Sequence, residues 1–153
     1  GFINVGLATT RGALARAVLE GVAMNLRWLR GPVEDFARRR FSHFVFYGGG
    51  AVSDTWAQIL ADVMNAPVHR AEHPQFVTCR GAGLLALQRL GLLGFDDFGS
   101  RIPIRHVHEP RAAYRTLYDD LAAGFVDTFR RLRPVFRGLN RGVARVSDSD
   151  QDN

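Results

Sequence analysis

The chain has 153 residues, a length typical of one domain, and 46% of them are hydrophobic and 23% charged. These proportions exclude a disordered chain, a collagen-like repeat and a disulfide-rich scaffold. The single cysteine, Cys79, excludes an internal disulfide and a cysteine-rich zinc site. The net charge is +5 and every basic residue is an arginine, spread along the chain. This distribution favours a solvated surface over nucleic-acid binding, and no stretch reaches the roughly 20 apolar residues of a membrane span.

The first predicted element is a helix with one apolar face. Thr9 or Thr10 can cap its start, and Gly31-Pro32 is predicted to end it. A further short helix is predicted from Pro32 through Ala37. The apolar residues of the first helix recur at spacings of three and four and form one face of it: Leu14, Val18, Val22, Leu26 and Leu29.

Strands and helices alternate in the middle of the chain. The apolar run from Phe41 to Tyr47 predicts a buried strand, followed by a helix from Ser53 to Met64. A short strand is predicted from Pro67 to Ala71. The small residues Gly81-Ala82-Gly83 are predicted to open a third helix, Leu84 to Leu90. Alternating strands and helices imply an α/β layer with parallel strand pairing.

The last third of the chain predicts one extended segment and one long helix. Ile102 to Val107 has an extended pattern, and an amphipathic helix is predicted from Pro110 onward. Pro134 is predicted to end or kink that helix. The polar residues 143–153 are predicted to be a disordered tail.

The most informative motif is a strand that runs into Gly48-Gly49-Gly50 and then into a helix. Glycines allow the backbone to approach a ligand closely, and the free N–H groups at a helix start favour phosphate. The motif is neither a Walker A loop, because its lysine is absent, nor a G-x-G-x-x-G fingerprint. Spacing alone leaves two interpretations open, a nucleotide cradle and a tight turn without a ligand.

Other polar residues form no recognisable catalytic or metal-binding pattern. His69 and His73 straddle a predicted strand end, and His106 and His108 have no third ligand at a suitable spacing. Glu20 lies among apolar residues of the first helix, where a structural role is favoured over a catalytic one.

The residues around the glycine turn resemble a known family, the FGGY carbohydrate kinases. The segment Gly48–Val63 is similar to the family's adenine-nucleotide motif, in which a GGGA turn precedes a tryptophan and a Gln-Ile-Leu-Ala-Asp run. Arg16–Ala23, Asn65–Val68 and Gly81–Ala86 resemble the flanking helix, strand and helix start. The order of these blocks holds from about Gly6 to Gly91, and xylulokinases and gluconokinases are the most similar members.

The resemblance implies a fold of two actin-like (ribonuclease H-like) ATPase domains with ATP and sugar in the cleft between them. Residues 1–142 would be the C-terminal part of the second domain, an α/β unit that is helix-rich with a small sheet. By matched position, the expected nucleotide-binding residues are Gly49, Gly50, Ala51 and Asp54.

The resemblance also implies a cytoplasmic enzyme that uses ATP and Mg²⁺ to phosphorylate a sugar or polyol hydroxyl. The family's catalytic aspartate, phosphate loops and most sugar contacts lie upstream of the matched segment. No catalytic or metal-binding residue is therefore expected here, and the isolated chain is expected to be inactive. A homodimer is left open. The alternative is an actin-like nucleotide-binding or interaction module without sugar kinase activity.

Overall fold

The computed structural model describes residues 1–140, so the predicted tail at 143–153 lies outside the described residues. The described part contains four α-helices: α1 (Arg11–Ala37), α2 (Asp54–Met64), α3 (Val77–Arg89) and α4 (Arg115–Leu139). It also contains three strands: β1 (Phe44–Phe46), β2 (Val68–Ala71) and β3 (Ile104–His108). No helix within residues 1–140 is both long enough and apolar enough to cross a membrane.

Helix α1 begins where the sequence predicts and ends later. The Thr10 hydroxyl accepts a hydrogen bond from the Ala13 N–H at 3.1 Å and caps the first turn. The predicted end at Gly31-Pro32 is wrong, because the helix continues through Pro32 to Ala37. Pro32 is exposed, and it has no N–H to donate to the carbonyl one turn earlier. The helix ends at Arg38, whose left-handed backbone (φ 51°) closes the last turn.

The apolar face predicted on α1 is largely uncovered within the described residues. Val18, Val22, Leu26 and Leu29 are between 43 and 54% exposed. The buried apolar residues of α1 are instead Ala23 and Met24, which pack in the same core as α2.

Helix α2 is the centre of the core, as its apolar pattern predicts. Its N-terminus is capped by Ser53, whose hydroxyl accepts a hydrogen bond from the Trp56 N–H at 3.3 Å. It ends at Asn65 in a left-handed conformation. The core that forms around it draws on α1, α2, β2 and α4: Ala23, Met24, Ile59, Leu60, Ala61, Val63, Val68 and Tyr118.

The sheet has the order β1-β2-β3. Strands β1 and β2 are parallel, with Phe44 opposite Val68, which confirms the predicted pairing. Strand β3 is antiparallel to β2, with His108 also opposite Val68. Strand β1 is shorter than the predicted run from Phe41 to Tyr47, and it has a strand neighbour on only one side within the described residues.

Two other element boundaries differ from the predictions. Helix α3 begins at Val77, so Gly81-Ala82-Gly83 lies inside the helix and does not open it. A short 3-10 turn, Pro74–Phe76, leads into this helix and accounts for the earlier start. Helix α4 begins at Arg115 and passes through Pro134 to Leu139, so Pro134 does not end it. Pro134 is exposed, as Pro32 is in α1.

A buried carboxylate joins the end of α1 to the segment that enters β1. Glu34 is 4% exposed and accepts hydrogen bonds from the Phe41 N–H at 2.8 Å, Arg30 Nε at 2.7 Å and an Arg40 amino group at 2.9 Å. These bonds, that from the Phe41 backbone above all, lower the pKa of Glu34 to about 2. The charged carboxylate therefore holds the corner between α1 and β1.

Glu34→Gln should lower the unfolding midpoint at neutral pH, because Arg30 and Arg40 lose a buried counter-charge. A lowered pKa in the folded state adds stability above the ordinary value of 4.5 and loses it as the pH falls toward about 2. The difference between wild type and variant in thermal melts should therefore shrink across that interval. Asp35→Asn, at a neighbouring side chain that is 75% exposed, is the control and should show almost no difference. A gap for Glu34→Gln that is constant with pH would contradict this assignment.

Candidate functional site

The glycine turn lies at an edge of the sheet where two loops and two helix starts meet. Because β1 and β2 are parallel, their carboxyl ends lie on the same side. The turn follows β1 and precedes α2, and the loop after β2 leads to α3. The Gly48 N–H donates a hydrogen bond to the Pro74 carbonyl at 2.8 Å and joins the two loops. In open α/β sheets this is the edge at which ligands bind.

The turn has a defined backbone shape. Gly48 has φ +91°, a conformation that side chains disfavour, which explains a glycine at this position. A 3-10 turn follows from Gly49 to Val52. The Ala51 N–H donates to the Gly48 carbonyl at 3.1 Å, and the Ser53 N–H donates to the Gly50 carbonyl at 3.2 Å. The chain's own hydrogen bonds therefore set the path of the turn.

The three candidate residues of the turn have different surroundings. Gly49 is exposed, and a Cβ added to it would have no atom within 4 Å. A Cβ on Gly50 would lie 2.1 Å from Cζ3 of Trp56, so the indole ring alone requires glycine there. Ala51 is fully buried, and its methyl group presents no surface to a ligand. Gly49 is thus the residue of the three whose surroundings leave room for a bound molecule.

Trp56 anchors the turn to the sheet. Its ring packs edge-to-face against Phe46 of β1 with centroids 5.5 Å apart, and it lies against Gly50 on its other side. Trp56 is part of the motif identified in the sequence, and this packing explains why a tryptophan stands at that position.

Asp54 lies at the start of α2 beside two cationic or titratable side chains. One of its carboxylate oxygens is 3.0 Å from the Arg70 guanidinium and 3.5 Å from Nε2 of His108. Asp54 is 68% exposed on its side chain, whereas Arg70 and His108 are buried. Arg70 also donates hydrogen bonds to the carbonyls of Ala51 at 3.5 Å and Val52 at 3.3 Å.

Burial lowers the pKa of His108, and the nearby His106 and Arg70 lower it further, although Asp54 acts in the opposite direction. His108 is therefore uncharged at neutral pH, and Arg70 is the cation beside Asp54. Sequence reasoning missed Arg70 and considered His108 only as a possible metal ligand. The only local signal is an arginine in the four-residue strand Val68–Ala71, whose other members are two apolar residues and a histidine.

The other polar candidates have structural explanations. The Tyr118 hydroxyl donates a hydrogen bond to Glu20 at 2.7 Å, and Arg16 Nε does so at 2.7 Å, which supports the structural role favoured for Glu20. His43 and His69 stack with centroids 4.3 Å apart. Residues 1–140 contain no group of three or more metal-ligating side chains able to hold a metal ion. Cys79 is exposed.

Comparisons with known proteins agree with this architecture. The sequence profile of the FGGY family of carbohydrate kinases, C-terminal domain, matches residues 1–89. The gluconokinase of Bacillus licheniformis is 27% identical over 143 residues, covering 93% of this chain and 26% of the relative. The L-fuculokinase of Escherichia coli K12 is 30% identical over 128 residues, covering 83% of this chain and 25% of the relative.

Solved structures show the same relationship. The xylulose kinase from Rhodospirillum rubrum superimposes with a TM-score of 0.75 and 30% sequence identity over 90% of this chain and 28% of that protein. The chain therefore belongs to the FGGY family of carbohydrate kinases. The predicted fold, a helix-rich part of an actin-like ATPase domain with a small sheet, is confirmed. The chain spans about a quarter of the length of the curated relatives it matches.

Gly50→Ala should destabilise the protein by about 1–3 kcal/mol, because the new methyl group forces Trp56 from its place. Gly49→Ala is the matched control and should change stability little, since its methyl group enters open space. Fluorescence in a Trp28→Phe background, where Trp56 is the remaining tryptophan, should shift to longer wavelength for Gly50→Ala alone. Equal effects of the two alanines would contradict the packing described for Trp56.

Proposed function

We propose that the chain is the nucleotide-binding part of an ATP-dependent sugar kinase and supplies the adenosine side of its active site. The observation that carries this proposal is the open glycine turn at the carboxyl edge of the sheet, in a chain that belongs to this kinase family. The whole enzyme transfers the γ-phosphoryl group of ATP to a hydroxyl of a sugar or polyol. We place it in the cytoplasm, where ATP is available.

Only the side of the turn at Gly49 has room for a nucleotide. The nucleotide lies against the backbone of Gly49, where the space is open. Gly50 and Ala51 support that surface from behind, through Trp56 and the core. Asp54 lies at the same edge, in the first turn of α2. Bound ATP supplies the phosphoryl group, and the residues of this chain bind and orient its adenosine part.

Mg²⁺ has no ligand cluster in the described part of the chain. This ion commonly binds through substrate phosphates, waters and one or two carboxylates. From the family of the chain we propose that these carboxylates come from polypeptide beyond residues 1–153. The catalytic base and most sugar contacts are proposed to lie there as well. The isolated chain is therefore expected to be catalytically inactive.

The substrate is proposed to be a carbohydrate of the kind named for the relatives, which are xylulose kinases, gluconokinase, L-fuculokinase and glycerol kinase. The alternative, a nucleotide-binding module without kinase activity, is disfavoured because these relatives are all named as kinases. ATP consumption by the complete reading frame that contains this chain, measured with each of these carbohydrates, distinguishes the two. Consumption that no carbohydrate stimulates would favour the module.

We also propose that residues 1–142 form the C-terminal part of a larger domain. A groove of about 250 Å³ separates α1 from β1 and is lined almost entirely by apolar side chains, among them Leu26, Leu29 and Val33. The Phe44 N–H donates to the Pro67 carbonyl, so the alternation of a parallel ladder turns the polar backbone groups of Val45 toward the open edge. A strand and apolar side chains from the preceding polypeptide would cover both.

Leu29→Glu should change the stability of the isolated chain little, because Leu29 is 54% exposed. In the complete reading frame the same substitution should lower the melting temperature strongly, since it buries an unpaired charge beneath the covering polypeptide. Leu85→Glu on α3, at a residue 53% exposed, is the matched control and should be tolerated in both. If instead two copies of the chain cover the face, Leu29→Glu would dissociate a dimer of the isolated chain in sedimentation experiments.

Gly49→Leu should weaken ADP binding to the complete reading frame by tenfold or more, because its side chain fills the space assigned to the nucleotide. Calorimetric titration with Mg-ADP measures the effect. Gly124→Leu, at an exposed glycine of α4 that also has no atom within 4 Å of its Cβ position, is the control and should leave the affinity unchanged. Unchanged affinity in the Gly49 variant would exclude this turn from the nucleotide site.

A further inference from the structure

Asp54 forms an ion pair with Arg70 of the same chain. We infer that Asp54 and Arg70 form a clamp that positions the glycine turn, and that Asp54 affects nucleotide binding through Arg70 and not by touching the nucleotide. This inference rests on the proposed function, since it assigns a positioning role within the same site. It concerns two residues, of which the sequence resemblance singled out one as a nucleotide contact and passed over the other.

Arg70 occupies the centre of the sheet. It lies on the middle strand, opposite Phe46 of β1 and His106 of β3, and it is 8% exposed. Its side chain reaches under the turn and donates to the carbonyls of Ala51 and Val52. A guanidinium on a rigid central strand thus holds the segment that carries the glycines in a fixed place relative to the sheet.

A buried guanidinium is stable only when its charge is balanced. Asp54 is the one carboxylate within ion-pair distance of Arg70 among residues 1–140, at 3.0 Å. Nε of Arg70 has no hydrogen-bond partner in the same part of the chain, so the charge depends on contacts at the other end of the guanidinium. Without Asp54, the guanidinium would gain by turning toward water and would release the two turn carbonyls.

Asp54 is also part of helix α2. It is the first residue of the helix, where a negative charge interacts favourably with the helix dipole. Its carboxylate therefore bridges the start of α2 and the strand below. The clamp therefore fixes the position of Gly49 relative to β2. Gly49 lies five residues before Asp54 on the same continuous turn and helix.

A double-mutant cycle tests the clamp in the complete reading frame. Asp54→Ala and Arg70→Met should each weaken Mg-ADP binding by about threefold to tenfold. The double variant should bind no more weakly than Arg70→Met alone, because Asp54 has no route to the nucleotide once Arg70 is gone. The KM for ATP should rise while kcat and the KM for the sugar stay unchanged. Arg70→Lys, which keeps the ion pair, should lose less affinity than Arg70→Met.

The matched control removes an ion pair of similar chemistry far from the turn. Asp127→Ala breaks the exposed pair with Arg131 on α4, where the distance is 2.7 Å, and should leave ADP affinity unchanged. If Arg70→Met fails to fold, the cycle is run with Asp54→Asn and Arg70→Gln, each of which removes one charge of the pair, and the same non-additivity is expected.

Three results would overturn the clamp. If the two losses multiply in the double variant, Asp54 contacts the nucleotide directly, and the proposed function stands without the clamp. If neither single variant weakens ADP binding while Gly49→Leu does, the turn holds its position without the pair. If the wild-type protein binds no nucleotide at all, the proposed function is wrong and the clamp is wrong with it.

Discussion

The parallel pairing of β1 with β2 is the constraint on which the rest of the site depends. It brings the glycine turn, the loop after β2 and the starts of α2 and α3 to one edge of the sheet. It also places Arg70 beneath the turn, because the register sets Arg70 opposite Phe46, two residues before the first glycine. An antiparallel partner would have put the two loops at opposite ends of the sheet.

Glycines in one turn serve different physical purposes. Gly48 is required by its positive φ, Gly50 by the ring of Trp56, and Gly49 by neither. The three glycines of the motif therefore differ: Gly48 sets the backbone shape, Gly50 allows packing, and Gly49 lies beside open space. Gly49 is therefore the glycine proposed to contact the nucleotide, and Asp54 and Arg70 are the polar residues proposed to position it.

Helix α1 has apolar side chains on two faces. One face buries Ala23 and Met24 against α2, and Arg16 and Glu20 bond to Tyr118 of α4. The other carries a row of large apolar side chains that meets the open edge of β1. A second apolar face of this kind is what motivates the proposal that further polypeptide covers α1, in a chain that spans about a quarter of the length of its relatives.

The features that depend on short-range hydrogen bonds could be predicted from the amino-acid sequence. Thr10 and Ser53 mark helix starts, and Gly48-Gly49-Gly50 marks the turn and the family, because caps and turns involve residues only a few positions apart. The buried side of α1 and the contact between Asp54 and Arg70 could not be predicted from the sequence. Those contacts depend on strand register and on which elements share a layer. The structure also shows α1 and α4 continuing through Pro32 and Pro134, both exposed, where the sequence predicts breaks.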